Sequence, residues 1–167
     1  HERWWHKMPK QLTEDQVREL ANKTLGFNDS DDVIAGVGQL TTFNELGKTL
    51  KISEWKGVKD KPDGWYLPKI TSHPALVLET KNSKISIEKY IDELFKNCHI
   101  ILKKYPNVIG IIYNGFDLKV FKNDSNGNMV EINTSTKLEN KDYYLKIFSS
   151  SPVDKNEIYK HTRKINN

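Results

Sequence analysis

Ala75-Leu76-Val77-Leu78-Glu79-Thr80-Lys81 decides how this chain folds. The apolar run up to Leu78 reads as a strand covered on both faces, the mark of a central strand in an α/β sheet. Its last three residues change character. On a strand, Glu79 and Lys81 stand at i and i+2 and project from one face, while Thr80 points away.

Downstream, the spacing of Ile87, Tyr90, Ile91, Leu94, Phe95, Cys98, Ile101, Leu102 and Tyr105 predicts a helix from about Ser86 to Tyr105, stopped by Pro106. Val108 to Tyr113 reads as the next apolar strand. A strand, a helix and a strand in that order imply a right-handed crossover between parallel strands. Asn114-Gly115 predicts a type I′ hairpin into a strand over Phe116 to Phe121, and a second turn at Asn123 to Asn128 leads to a short strand around Met129 to Ile132. A strand over Tyr143 to Phe148 and a helix capped by Asp154 complete the C-terminal part.

Upstream, two further strands are predicted, Ile52 to Val58 and Gly64 to Leu67, after a helix from about Leu40 to Leu50 that carries Glu45. Thr13-Glu14-Asp15-Gln16 is a capping-box pattern that opens an earlier helix with Val17, Leu20, Ala21 and Leu25 on its apolar face. The acidic run from Asn28 to Asp32 reads as a solvated loop. The fold class expected is α/β: a helix, three strands, a helix and a strand around a central mixed sheet, with an added C-terminal hairpin.

At 167 residues the chain is expected to be one domain with a single core. No run of eighteen apolar residues is present, so no membrane span is expected. Cys98 is the only cysteine, which excludes an intrachain disulfide and fits a reducing compartment, the cytoplasm; its place in an apolar stripe makes it a core thiol. A start without methionine and an end at Asn167 in what reads as mid-helix suggest a piece of a longer protein. The net charge of +4 is carried almost wholly by lysine, with arginine only at positions 3, 18 and 163. Lysine binds phosphate as a point charge, whereas arginine dominates base reading. The charge therefore permits nucleic-acid binding without demonstrating it.

Lys61-Pro62-Asp63-Gly64 puts an acid at the start of the strand preceding Glu79. Two carboxylates and a lysine at one edge of a sheet suit a divalent metal and a phosphodiester. Magnesium prefers oxygen ligands and keeps several waters, so Asp63, Glu79 and the Thr80 carbonyl are a sufficient candidate set. Lys81 is the candidate for orienting a water and stabilising charge on phosphorus.

Pro62-Asp63 and Glu79-Thr80-Lys81, set in that order of elements, resemble the two half-motifs of the PD-(D/E)xK nuclease superfamily. With Gly110-Ile111-Ile112-Tyr113-Asn114-Gly115 and Leu118-Lys119-Val120-Phe121, the stretch from about Leu40 to Phe121 is similar to the N-terminal nuclease domain of restriction–modification proteins, either type I restriction subunits or fused endonuclease–methyltransferases. The resemblance implies a restriction-endonuclease-like αβββαβ core and a Mg2+-dependent cut in double-stranded DNA, with Asp63, Glu79 and Lys81 catalytic. Methyltransferase and specificity modules in the same chain or in other subunits would be its partners. It also implies a metal-ligating acid on the first core helix, for which Glu45 is the candidate, with Glu19 a competitor. The Gln-x-x-x-Tyr of many type I subunits is missing from the helix after Lys81. A repair or junction-resolving nuclease of the same superfamily, or an inactive module that binds DNA or a partner, remain alternatives.

Lys61, Lys69 and Lys84 are the lysines expected to contact the DNA backbone. His73 reads as a solvated loop residue, and Trp55 and Trp65 as core. Gly47-Lys48-Thr49 lacks the glycine position and the preceding strand of a P-loop, and Gly36-Val37-Gly38 lacks the third glycine of a dinucleotide fingerprint.

Overall fold

A computed structural model describes residues 11–147. The elements run α1 (Glu14–Leu25), β1 (Val33–Val37), α2 (Phe43–Leu50), β2 (Gly64–Pro68), β3 (Ala75–Thr80), α3 (Ile91–Leu102), β4 (Val108–Tyr113), β5 (Leu118–Asn123), β6 (Met129–Ile132) and α4 (Lys141–Ile147). The strands form one six-stranded sheet in sequence order, β1 through β6. Only β3 and β4 are parallel, joined by the α3 crossover, and every other pairing is antiparallel. The class is α/β, a mixed sheet between helices. Among the described residues no helix is long and apolar enough to cross a membrane.

Period-2 alternation divides the core in two. Trp65, Leu67, Ala75, Val77, Val108, Ile112 and Phe121 face α2 and α3, where Phe43, Leu46, Leu94, Cys98 and Ile101 meet them. Leu76, Leu78, Ile109, Ile111, Val120 and Ile132 face Val17, Ala21 and Leu25 of α1 and Tyr144 of α4. β3 and β4 are buried along their whole length, as the apolar reading of both requires. Cys98 is fully buried, and that burial pushes its thiol far above the usual range, so it is a packed core group.

Three expected elements are corrected. Ile52 to Val58 is not a strand: Ser53–Trp55 is a short 3-10 turn. Ile52 and Trp55 are buried and Val58 is partly so; they recur every third residue, a 3-10 period that a strand cannot satisfy. The third strand of the sheet is instead β1, in which Val33, Ile34, Ala35, Gly36 and Val37 pair with Pro68 back to Gly64. Of the strand expected over Tyr143 to Phe148, the described part, to Ile147, is helix, and Phe148 lies outside the described residues. Asn140 accepts a hydrogen bond from the Asp142 amide through its side chain and another from the Tyr143 amide through its carbonyl, and this opens α4. The helix capped by Asp154 lies outside the described residues.

The third correction concerns the β4–β5 turn. It spans four residues rather than two, because Tyr113 pairs with Leu118. Gly115 has φ 95° but Asn114 is not in the left-handed region, so the turn is not type I′.

Gly64 lies where its two neighbouring strands leave little room for a side chain. A Cβ there would stand 3.0 Å from the Leu78 side chain and 3.2 Å from Val37 Cγ1. Gly64→Ala is expected to push β2 away from its neighbours and lower stability by about 1–3 kcal/mol, read as a lower urea midpoint at unchanged slope.

Candidate active site

The β2–β3 register builds the site. Gly64 pairs with Leu78 and Trp65 with Val77, so one further step sets Asp63 opposite Glu79 on the α3 side of the sheet. Asp63 is tied into the sheet end at two points. Its carbonyl accepts from the Gly38 amide at 2.9 Å, and its Oδ2 accepts from the Thr80 amide at 2.8 Å. The Thr80 side chain lies on the opposite face and is fully buried, so only its backbone is available to the site.

Glu79 is 6% exposed. Its Oε1 lies 3.7 Å from Lys81 Nζ and its Oε2 accepts from Asn97 Nδ2 at 3.5 Å. Burial, then the charge and hydrogen bonding of Asp63, push its carboxyl up to about 9, against the opposing pull of Lys81. In the metal-free protein this acid pair therefore holds a proton at neutral pH.

Lys81 is fixed on three sides. Its Nζ lies 3.1 Å from Glu93 Oε2 and 3.7 Å from Glu79 Oε1, and 4.1 Å above the centre of the Tyr90 ring. Partial burial alone would lower its pKa, but the Glu93 hydrogen bond and the charges of Glu79, Glu93 and Glu14 outweigh that and raise it. The amine is a cation and a hydrogen-bond donor, not a base.

The structure places the candidate first-helix acids as follows. Glu45 sits exposed in the first turn of α2, its amide capped by Thr42. The acid that reaches the cluster is Glu14 on α1. Burial, then the charge of Asp63, raise its pKa, while Lys81 and Arg18 oppose the shift. Arg18 is buried beside it and contacts Glu14 at 3.6 Å, Asp15 at 2.7 Å and Asp63 at 3.4 Å. Arg18, Glu14, Glu93 and Asn97 were missed as site residues. The signals were present: a scarce arginine next to an apolar helix face, and an asparagine three residues after Leu94 inside an apolar stripe.

Of the three predicted DNA-binding lysines, two share this end of the sheet. Lys61 is exposed just before Asp63, and Lys84 borders a cavity of about 380 Å³ with Gln11, Leu12, Thr13, Glu14 and Asn82. Lys69 follows the last residue of β2, at the opposite end of the strand from Asp63, roughly 15–20 Å away. His73 is exposed at that far end too, as a solvated loop residue should be.

Compared with protein families, curated proteins and solved structures, the chain matches none. What the site can do rests on its own chemistry. Among the described residues no three Asp, Glu, His or Cys side chains converge to hold an ion by themselves. Two carboxylates at adjoining strand ends, completed by a carbonyl and water, nevertheless suit a hard cation that retains much of its hydration, as Mg2+ does.

Proposed function

We propose that this chain is a Mg2+-dependent DNA endonuclease domain of the PD-(D/E)xK type, the cleavage module of a restriction–modification enzyme. The observation that carries the reading is the placement of Asp63 opposite Glu79 across the β2–β3 pair, with Lys81 on the face of Glu79 and 3.7 Å from it. The order α1, β1, β2, β3, α3, β4, with α2 inserted between β1 and β2, supports the restriction-endonuclease-like core more closely than the elements first assigned to it.

Asp63 and Glu79 would hold the ion with the Thr80 carbonyl, with Glu14 joined to Asp63 through Arg18. Bound there, Mg2+ supplies polarisation of the phosphoryl oxygen and a lower pKa for the attacking water. Lys81, kept protonated by its acidic neighbours, donates hydrogen bonds to the water and to charge growing on phosphorus. The water oxygen bonds to phosphorus as the bond to the 3′ oxygen breaks. One proton of the water passes to solvent and the 3′ oxygen takes one up, leaving a 5′-phosphate and a 3′-hydroxyl. Asn97 and Glu93 fix the Glu79 carboxylate and the Lys81 amine before substrate arrives, which lowers the reorganisation needed.

The test is nicking of supercoiled DNA by the full-length protein with Mg2+. Lys81→Ala is expected to reduce the rate about 100- to 1,000-fold while DNA binding persists. Undiminished nicking by this variant would overturn the assignment.

A further inference from the structure

Four large apolar side chains are exposed among the described residues: Leu20, Leu40, Ile70 and Phe116. Single exposed apolar residues are ordinary, so position must decide whether one matters. Phe116, 48% exposed, stands in the β4–β5 turn at the end of the sheet that carries the acid pair. The Lys81 amide donates to the Tyr113 carbonyl at 3.1 Å, so the turn begins one strand spacing, about 4.8 Å, from the lysine.

The turn is fixed from within. Asn114 is 2% exposed and its whole amide is engaged in shaping it. Its Oδ1 accepts from the amides of Phe116 at 3.0 Å and Asp117 at 2.7 Å, and its Nδ2 donates to the Ile85 carbonyl at 2.8 Å. The Tyr113 hydroxyl donates to the Gly115 carbonyl at 3.2 Å. A turn braced this way presents an exposed aromatic ring at the site's end of the sheet at little entropic cost on binding. The neighbour is informative too. Asp117 is exposed next to the ring, and a carboxylate repels backbone phosphate but accepts from exocyclic base amines.

We infer that Phe116, on the turn braced by Asn114, is a nucleobase-stacking contact that engages a base flanking the scissile phosphate. The inference rests on the nuclease reading and deepens it: the lysines of the rim meet phosphates, and this turn meets a base. Stacking of this kind tolerates any base, since each has a π face. Asp117, next in the chain, would favour a base that carries an exocyclic amine over thymine, which has none.

The experiment measures binding of the full-length protein to duplex DNA in Ca2+, with 2-aminopurine near the nicking position, alongside nicking in Mg2+. Phe116→Ala is expected to weaken binding about ten-fold or more and abolish the 2-aminopurine response. Phe116→Trp should restore both. Ile70→Ala, which removes a 57% exposed side chain at the opposite end of the sheet, should change neither. Parent-like binding by Phe116→Ala, in a protein whose nicking still depends on Lys81, overturns the inference alone. Nicking independent of Lys81 overturns the nuclease reading, while a Phe116-dependent binding loss would still uphold the contact.

Discussion

Glu79→Gln will yield a metal-free protein more stable than its parent, with nicking reduced at least ~1,000-fold. The folded protein holds the Glu79 carboxyl far above its ordinary value, so between about 4.5 and about 9 the folded state binds a proton that the unfolded state releases. Stability contributed by this group is therefore present at low pH and is lost as pH rises through that window. Glutamine keeps the shape and an acceptor for Asn97 but removes the titration. The gain at pH 8 should be on the order of 1–3 kcal/mol, a rise in Tm of roughly 3–8 °C. Thermal melts from pH 5 to pH 9 check it: the parent should lose stability over the range relative to the variant. Adding Mg2+ should raise the parent's Tm and leave the variant's nearly unchanged, because the ion binds the folded state of the parent alone.

Asp63→Ala will have the opposite sign. Asp63 accepts from the Thr80 amide at 2.8 Å and faces the buried Arg18 guanidinium at 3.4 Å. Removing it leaves a backbone donor without its acceptor and a buried cation with one carboxylate fewer. Glu14 and Asp15 still hold Arg18, so the loss should be partial, about 1–3 kcal/mol, measured by urea unfolding. Nicking and Mg2+ binding should both disappear. Two carboxylates opposite each other in one site would then move stability in opposite directions while both abolish activity. Equal destabilisation by the two substitutions would contradict this account of the site's electrostatics.

The legible parts of the sequence were those where local pattern and tertiary burial agree. β3 and β4 are buried on both faces, and their unbroken apolar runs say so. Asp63, Glu79 and Lys81 fell together because strand periodicity fixes which side chains share a face. The α3 crossover followed from chain order and handedness. Where local pattern was ambiguous, tertiary context decided. Ile52, Trp55 and Val58 look like a strand by composition, yet their spacing of three serves a turn packed under α2. β1 was hidden because Ala35 and Gly36 weaken its strand signal and an acidic loop precedes it. That single omission left α2 as the helix expected before three strands, with Glu45 as its acid, whereas the acid joined to Asp63 through Arg18 is Glu14 on α1. Lys69 is close to Asp63 in sequence but not in space, because a five-residue strand separates them. Arg18 and Asn97 carried a composition signal, but their partners across the fold, Asp63 and Glu79, are distant in the chain and could not be read from pattern.

The two outer strands bear on how copies of this protein can meet. β1 has five residues and β6 four, and the exposed Glu131 interrupts the latter. Edges this short give little purchase for a second chain to extend the sheet. Self-association, if cleavage of both DNA strands calls for it, would have to run through helices or loops instead. One copy presents one acid pair, so on the proposed nuclease reading a lone copy would nick one strand at a time.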